Sequence, residues 1–534
     1  MTARSMARAA VVATALATAA VTAPVAASAA SAASPPAATA ATAAPVVWKD
    51  CPADALPGVP PADHSRYGCA DYAVPLDYDN PRRGTINIAL MRRVASGAAG
   101  SRIGSLFVNP GGPGGPGFGM PTAADRFLRP EVLDRFDVVG FDPRGIGRST
   151  PLRCFATAED AAAVRGKIHE IPRTAGDIAA TIEGDREYAR FCDRFARPLL
   201  PEMSTKAVAR DLDLLRAAVG DQRLTYVGFS YGTLLGATYS ALFPDRTRAI
   251  VLDGSVDPAL RTTNGVEYDR QRTEGFEVAL DAFLKECDRV GPACAYSGGA
   301  RAKYDADREY VKAHGPVTLS DGTVVTHELF VTAIGRALYQ RDALKHLAEL
   351  LQELHTIIHN GQSAARAAPR SALTRSPLRD THPDTPYTGD DSYAAVNCLD
   401  KPFTTPLNKV PALADRWDKT MPTFGRYGAW GDTATCAEWP VPHPDRFAGP
   451  WNRPTKTPVL VVGNFYDPAT RYTFAQNMAK ELGNATLLST DNFGHCVLGD
   501  NSCADRAAAD YLITLKTPVP GQVCAPDRGI FDPA

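Results

Sequence analysis

The chain has no excess of charge of either sign. Its 57 Lys and Arg stand against 59 Asp and Glu, a formal net charge of −2, so nothing electrostatic argues for a nucleic-acid partner. It has no internal repeat, which sets aside solenoids and propellers. Its eleven cysteines form no Cys-x-x-Cys pair, and zinc held by paired thiolates is not expected. The glycine-rich run from Pro110 to Gly117 is followed by no Gly-Lys-Ser/Thr, so it is not a phosphate loop. His355 and His359 are one helical turn apart, but His355-Thr356-Ile357-Ile358-His359 lacks the glutamate of a zinc protease helix and reads as a surface pair. Past the N-terminus no stretch is long and apolar enough to span a bilayer, and no stable membrane insertion is expected. What remains is 534 residues, 45% hydrophobic and 22% charged. That fits a soluble globular protein too long for one ordinary core, hence a large domain with an insertion or two domains.

The N-terminus reads as a targeting segment. Arg4 and Arg8 give a positive start, Ala9 to Ala23 an apolar run, and Ala27-Ser28-Ala29 a small-residue cleavage site. Residues 1–29 are therefore expected to be a signal peptide. Residues 30–46, rich in Ala, Pro and Thr, read as a disordered leader or pro-segment. A secreted, extracellular location follows, and with it an oxidising compartment in which disulfides are the better reading of the cysteines. Pairing by nearness gives Cys51–Cys69, Cys154–Cys192, Cys287–Cys294, Cys398–Cys436 and Cys503–Cys524, with Cys496 left over. Sequence alone does not fix that connectivity.

The chain is organised around Gly228-Phe229-Ser230-Tyr231-Gly232. Leu224 to Val227 reads as a short buried strand, and Thr233 to Phe243 as a helix stopped by Pro244. A serine on a tight strand-to-helix turn is exposed to attack a carbonyl, and the flanking glycines leave room where a Cβ would clash. Upstream, Tyr72 to Leu76 and Thr85 to Arg93 alternate like antiparallel strands. Ser105 to Asn109 and Phe136 to Phe141 are short buried strands, Lys206 to Val219 is an amphipathic helix, and Arg248 to Gly254 is the next strand. This alternation predicts a mostly parallel, doubly wound α/β sheet. It stops after Gly254 and resumes at Thr457 to Gly463. The residues between are helical at first, then Pro- and Arg-rich near Ala364 to Pro386. They read as a cap over the strands' C-terminal ends, where ligands bind in such sheets. A helix from Tyr472 to Leu482, a last strand from Ala485 to Leu488 and a closing helix from Ala504 to Leu515 complete the expectation.

Ser230, Asp467 and His495 stand in the order nucleophile, acid, base, the order of α/β-hydrolases. Each follows an expected strand. Asp253 also ends a strand and competes for the acid role; chain order favours Asp467. The glycine-rich loop after Asn109 fits an oxyanion loop, with the backbone N–H groups of Gly112 and Tyr231 as candidate donors. Cys496 is not read as a nucleophile, since Ser230 holds the turn. The loop Asp142 to Ser149 reads as structural.

Asn109-Pro110-Gly111-Gly112-Pro113-Gly114-Gly115, Gly140-Phe141-Asp142-Pro143-Arg144-Gly145, Gly228-Phe229-Ser230-Tyr231-Gly232-Thr233 and the Cys503 to Cys524 tail resemble the secreted tripeptidyl aminopeptidases, in the prolyl aminopeptidase group of α/β-hydrolase serine peptidases. The likeness runs from about Trp48 onward and is weakest across the cap. It implies an exported exopeptidase that releases short peptides from free N-termini, with the triad on Ser230, Asp467 and His495 and no metal or cofactor. Cys51, Cys69, Cys154, Cys192, Cys398 and Cys436 also fall where such enzymes carry cysteines, whereas Cys496 and the Cys287/Cys294 pair depart from the pattern. The expected organisation is a hydrolase core over 47–258, a mainly helical cap over 259–450 and a second core segment over 451–534. An aminopeptidase must also bind an ammonium, and Asp400 and Glu438, beside Cys398 and Cys436, are the candidate carboxylates. The closest rival is a secreted carboxylesterase or lipase with the same triad. A non-catalytic binding protein on this scaffold should have lost part of it.

Overall fold

The computed structural model describes residues 43–360, 385–441 and 445–532. The expected targeting segment and most of the Pro- and Arg-rich stretch lie outside the described residues.

A ten-stranded sheet forms the frame. In chain order its first strands are β1 (Lys49–Asp50), β2 (Tyr67–Pro75), β3 (Thr85–Arg93), β4 (Gly104–Asn109), β5 (Phe136–Phe141), β6 (Leu224–Phe229) and β7 (Thr247–Asp253). A separate hairpin, β8 (Val317–Thr318) with β9 (Val324–Val325), lies in the insertion, and the sheet resumes with β10 (Val459–Tyr466), β11 (Ala485–Phe493) and β12 (Val523–Cys524). Across the sheet the order is β1-β2-β3-β5-β4-β6-β7-β10-β11-β12. The first three strands pair antiparallel and β3 joins β5 antiparallel; from β5 to β12 every pairing is parallel. The expected last strand was cut too short and was not the last. It runs on to Phe493, and the two-residue β12 adds to its outer edge. A strand of two residues leaves no alternating pattern to read.

Period-two alternation divides the strands between two cores. Phe107, Val139, Tyr226, Ile250, Leu252 and Val461 face one side, packed on Leu212 and Leu215 of helix Thr205–Ala218 and on Leu234 and Tyr239 of helix Gly232–Leu242. Leu106, Val108, Val138, Val227, Val251 and Val462 face the other, against Val132, Leu133, Tyr511 and Leu512. Both faces are covered, which is why the central strands are buried on both sides and mostly apolar.

The insertion after β7 is mainly helical. Phe276, Leu280 and Phe283 of helix Gly265–Val290 pack on Phe330 and Ile334 of helix His327–Leu338 and on Leu347 and Leu351 of helix Leu344–Asn360. A second excursion, between β5 and helix Thr205–Ala218, packs against it. Helix Ala175–Phe195, closed by a capping box at Thr174 and Asp177, was not anticipated. Its Ile178 and Ile182 pack against an apolar cluster of the insertion that contains Trp417 and Trp430. Arg165 pairs with Asp391 across the same seam.

Five disulfides form, Cys51–Cys69, Cys154–Cys192, Cys287–Cys294, Cys398–Cys436 and Cys503–Cys524, and Cys496 is free. The loop after β5 is structural. The Arg144 guanidinium is fully buried, donates to both oxygens of Asp211 at 2.7 and 2.8 Å, and also bonds the carbonyls of Pro75, Leu76 and Glu202. No helix among the described residues is long and apolar enough to cross a membrane.

Candidate active site

The C-terminal ends of β4, β6, β7, β10 and β11 lie along one edge of the sheet, and the loops that leave them build one site. Ser230 follows β6 directly, with a positive φ of 55°. Its N–H is tied to the Asp253 carbonyl at 2.9 Å, and its own carbonyl accepts from Thr233 N at 2.9 Å. That left-handed turn is costly for a side chain and aims the hydroxyl out of the backbone. The turn closes only because two neighbours lack a Cβ. One at Gly228 would stand 2.4 Å from the Gly232 carbonyl, and one at Gly232 would stand 2.8 Å from Asn109 Oδ1.

His495 lies in the loop after β11, and Asp467 immediately follows β10. The imidazole Nδ1 is 2.9 Å from each carboxylate oxygen of Asp467. With Nδ1 donating, Nε2 is the basic nitrogen. Asp467 also accepts from the N–H groups of Ala469 and Thr470 and from the Thr470 hydroxyl, at 2.8 to 2.9 Å. These donors fix its orientation. The cap reaches in as well: His495 N–H donates to the Tyr339 carbonyl at 2.9 Å, and the Tyr339 ring packs edge-on to the imidazole.

Asp253 does not touch the imidazole. One oxygen accepts the N–H groups of Val497 and Leu498, each at 2.9 Å, so it pins the His495 loop from below. Burial pushes its carboxyl up to about 6, and the Asp467 charge adds to that. Cys496 lies against this group. Burial, then the charges of Asp253 and Asp467, push its thiol well above the usual range, which makes it a poor nucleophile.

Ser230 and His495 share a cavity of about 700 Å³ that Gly112, Tyr231 and Thr470 also line. The glycine-rich loop lies directly on the turn. A Cβ at Gly111 would be 2.9 Å from Tyr231 N and 3.0 Å from Ser230 Cβ. The loop holds itself by Gly111 N–H to Asn109 Oδ1 at 3.0 Å.

Across the cavity the wall is charged, built from Arg261, Arg272, Lys401 and Asp432. Lys401 is buried between Asp432 and Asp269, the latter at 2.8 Å. Burial works to raise the Asp432 carboxyl, but the charge of Lys401 and its hydrogen bond, then Arg272 and Arg261, outweigh it and hold the group below its usual range. Arg261 Nη2 donates to Asn397 Oδ1, while Arg261 Nε and Asn397 Nδ2 are buried without a hydrogen-bond partner.

The two carboxylates expected to meet an ammonium do not line this cavity. Asp400 lies beneath the nucleophile turn, where it accepts from Thr205 N–H at 3.1 Å and from the Thr205 hydroxyl, itself bonded to Tyr231. Glu438 is exposed past the end of helix Gly425–Ala437. Asp432, on that same helix, is the acidic residue of helices Ser392–Asp400 and Gly425–Ala437 that lines the cavity. It follows Gly431, where the helix breaks (φ −38°, ψ −118°), and such a break turns a residue off the face that helical spacing assigns.

Residues 104–277 match the family model for the alpha/beta hydrolase fold, and 421–524 that for TAP-like proteins. Among curated proteins the chain is 33% identical over 502 residues to Serine protease Hip1 of Mycobacterium tuberculosis, covering 90% of this chain and 91% of that one. It is 31% identical over 501 residues to a tripeptidyl aminopeptidase of Streptomyces lividans, covering 90% and 87%. It is also 33% identical over 474 residues to Carboxylesterase B of M. tuberculosis, covering 86% of each. The chain belongs to the α/β-hydrolase family and, within it, to the TAP-like serine peptidases.

Proposed function

We propose that this chain is an exported serine exopeptidase that releases short peptides, tripeptides in the first place, from free N-termini through an acyl-enzyme. One observation carries the reading: the cavity that holds Ser230 and His495 also holds an ionised, largely buried carboxylate, Asp432, on its cap-side wall. His495 Nε2 takes the Ser230 proton as Oγ attacks the scissile carbonyl, and returns it to the leaving amine. Asp467 holds the imidazole and stabilises its charged form. The N–H groups of Tyr231 and Gly112 receive the oxyanion. Water then repeats the sequence and frees the acid. At the other end of the substrate, Asp432 receives the ammonium. Arg261 Nε and Asn397 Nδ2 are donors suited to the carbonyls of a short peptide between the two ends.

Asp500 also lines the cavity, but it is exposed at the rim, where solvent and salt screen its charge. Five disulfides in a chain that opens on a targeting-like segment support export. The relative named as a carboxylesterase favours a second reading, ester hydrolysis by the same triad. A wall carrying three cations and a carboxylate is poorly suited to an apolar acyl chain.

The test is a matched set of chromogenic amides, carrying one, two or three residues with free or blocked amines, beside a short acyl ester. Each is assayed with the wild type and Ser230→Ala. Cleavage of free-amine tripeptidyl amides that blocking and Ser230→Ala both abolish supports the proposal. Ester cleavage alone overturns the peptidase reading and leaves the triad standing.

A further inference from the structure

Away from the cavity, two cap helices bring three ligating side chains to one point. Asp307 lies on helix Ala300–His314; His355 and His359 lie on helix Leu344–Asn360. A spacing of four residues puts both imidazoles on one face, one turn apart. His355 Nδ1 is 2.9 Å from Asp307 Oδ1, and His359 Nε2 is 2.9 Å from the same oxygen. All three ligand atoms lie within 4.8 Å of one another. The other Asp307 oxygen accepts from the Tyr296 hydroxyl at 2.6 Å.

The Asp307 side chain is fully buried, and among the described residues its ion-pair partners are these two histidines, with no Lys or Arg. A buried carboxylate needs a positive partner. The two rings are only 4.5 Å apart between centroids, so two imidazolium charges there would repel. One divalent ion would satisfy both imidazoles and the carboxylate at once. The spacing suits it: bonds of about 2.0–2.1 Å in a tetrahedron put ligand atoms about 3.3 Å apart, a few tenths of an ångström wider than the present hydrogen bonds.

We propose that Asp307, His355 and His359 bind one Zn²⁺ ion, which clamps helix Ala300–His314 to helix Leu344–Asn360. Two imidazoles and a carboxylate are a ligand set that zinc accepts. The His359 side chain is 39% exposed, so the ion enters from solvent and water completes its shell. Tyr296 holds Asp307 from behind, as an outer hydrogen bond commonly orients a ligating carboxylate. None of these residues lines the cavity with Ser230, so the ion is structural and takes no part in the reaction.

The experiment uses the untagged full chain, stripped with a chelator and dialysed, then titrated with zinc chloride. Bound metal is counted by elemental analysis after desalting, and the melting temperature is followed in parallel. The expected result is one equivalent of zinc per wild-type chain and a melting temperature raised by several degrees. His359→Gln, at a partly exposed site, should lose both effects. No retained zinc in the wild type would overturn the proposal. So would a His359→Gln protein that keeps the same equivalent and the same shift.

Discussion

Two aspartates approach the His495 loop, and only one of them touches its ring. Asp467 spans Nδ1 at 2.9 Å with both oxygens, while Asp253 takes the backbone of Val497 and Leu498. Replacing them should therefore fail in different ways. Asp467→Asn presents an amide to Nδ1 and disfavours the tautomer that leaves Nε2 basic; kcat should fall by about 10⁴ with KM little changed. Asp253→Asn leaves the imidazole its partner, so its larger effect should be on melting temperature, with a much smaller loss of kcat. Equal losses of kcat from the two changes would contradict the assignment. Asp432 belongs to the same scale. Asp432→Asn should cut kcat/KM for free-amine peptides about 10- to 100-fold, the worth of a charged hydrogen bond of ~1.5–3 kcal/mol, and leave the acyl ester unaffected. Asp400→Asn should not discriminate between those substrates, because Asp400 meets Thr205 and not the cavity. Ser230 and Asp467 were legible because each directly follows a largely apolar strand, and a strand's end fixes where the next residue stands; His495, past Gly494 in the loop after β11, was legible by chain order. Asp432 was not: it sits past a break at Gly431, inside a helix whose orientation is set only when the cap is assembled.

Two helices carry most of the charged wall's supporting residues. Helix Ser392–Asp400 brings Tyr393 and Asn397 and delivers Lys401; helix Gly425–Ala437 brings Asp432. Cys398–Cys436 ties them together, and Lys401 crosses from one to the other through Asp432. Ser230 and His495 hang from buried parallel strands, and the nucleophile turn meets helix Ser392–Asp400 only through Tyr231, Thr205 and Asp400. Removing the link with Cys398→Ala and Cys436→Ala together should cost ~2–4 kcal/mol of stability, most of it from a less constrained unfolded chain. At a temperature where the variant remains folded, KM for free-amine peptides should rise while ester turnover by Ser230 persists. Parallel loss of both activities would mean that the pair supports the whole site and not the wall alone. The core strands and the helices beside the sheet could be read in advance, because burial on one or two faces imposes a period. The cap was readable only as helical in its first part, and none of its helices could be placed. Their packing rests on contacts such as Tyr339 to His495, or Ile178 to the cluster around Trp417 and Trp430, between residues far apart in sequence.

The cap is made by two excursions from the sheet, one after β5 and one after β7, and their seam contains a carboxylate held against its preference. Asp185, on helix Ala175–Phe195, is buried and accepts a 3.1 Å bond from Thr435 Oγ1 in the later insertion, while its second oxygen has no hydrogen-bond partner. Burial pushes its carboxyl up to about 7, with the Thr435 hydrogen bond only partly opposing. The consequence for the whole molecule has a definite sign. Between the ordinary carboxylate range, near 4, and about 7, the folded protein holds a proton at Asp185 that the unfolded chain has released. Stability from this group is therefore fully present below about 4 and is lost as pH rises through 7. Asp185→Asn keeps the acceptor for Thr435 and removes the charge. Measured against wild type, its melting temperature should differ little at pH 4.5 by any pH-linked term, and the variant should gain up to about pH 7 and level off by pH 8. The gain should be on the order of 2–4 kcal/mol, or several degrees. A packing effect of the amide would add the same offset at every pH, so the slope and not the offset is the readout. A difference that stays flat from pH 4.5 to 8 would show that the seam opens enough for water to solvate Asp185, and that the two excursions are less tightly joined than the buried pair implies.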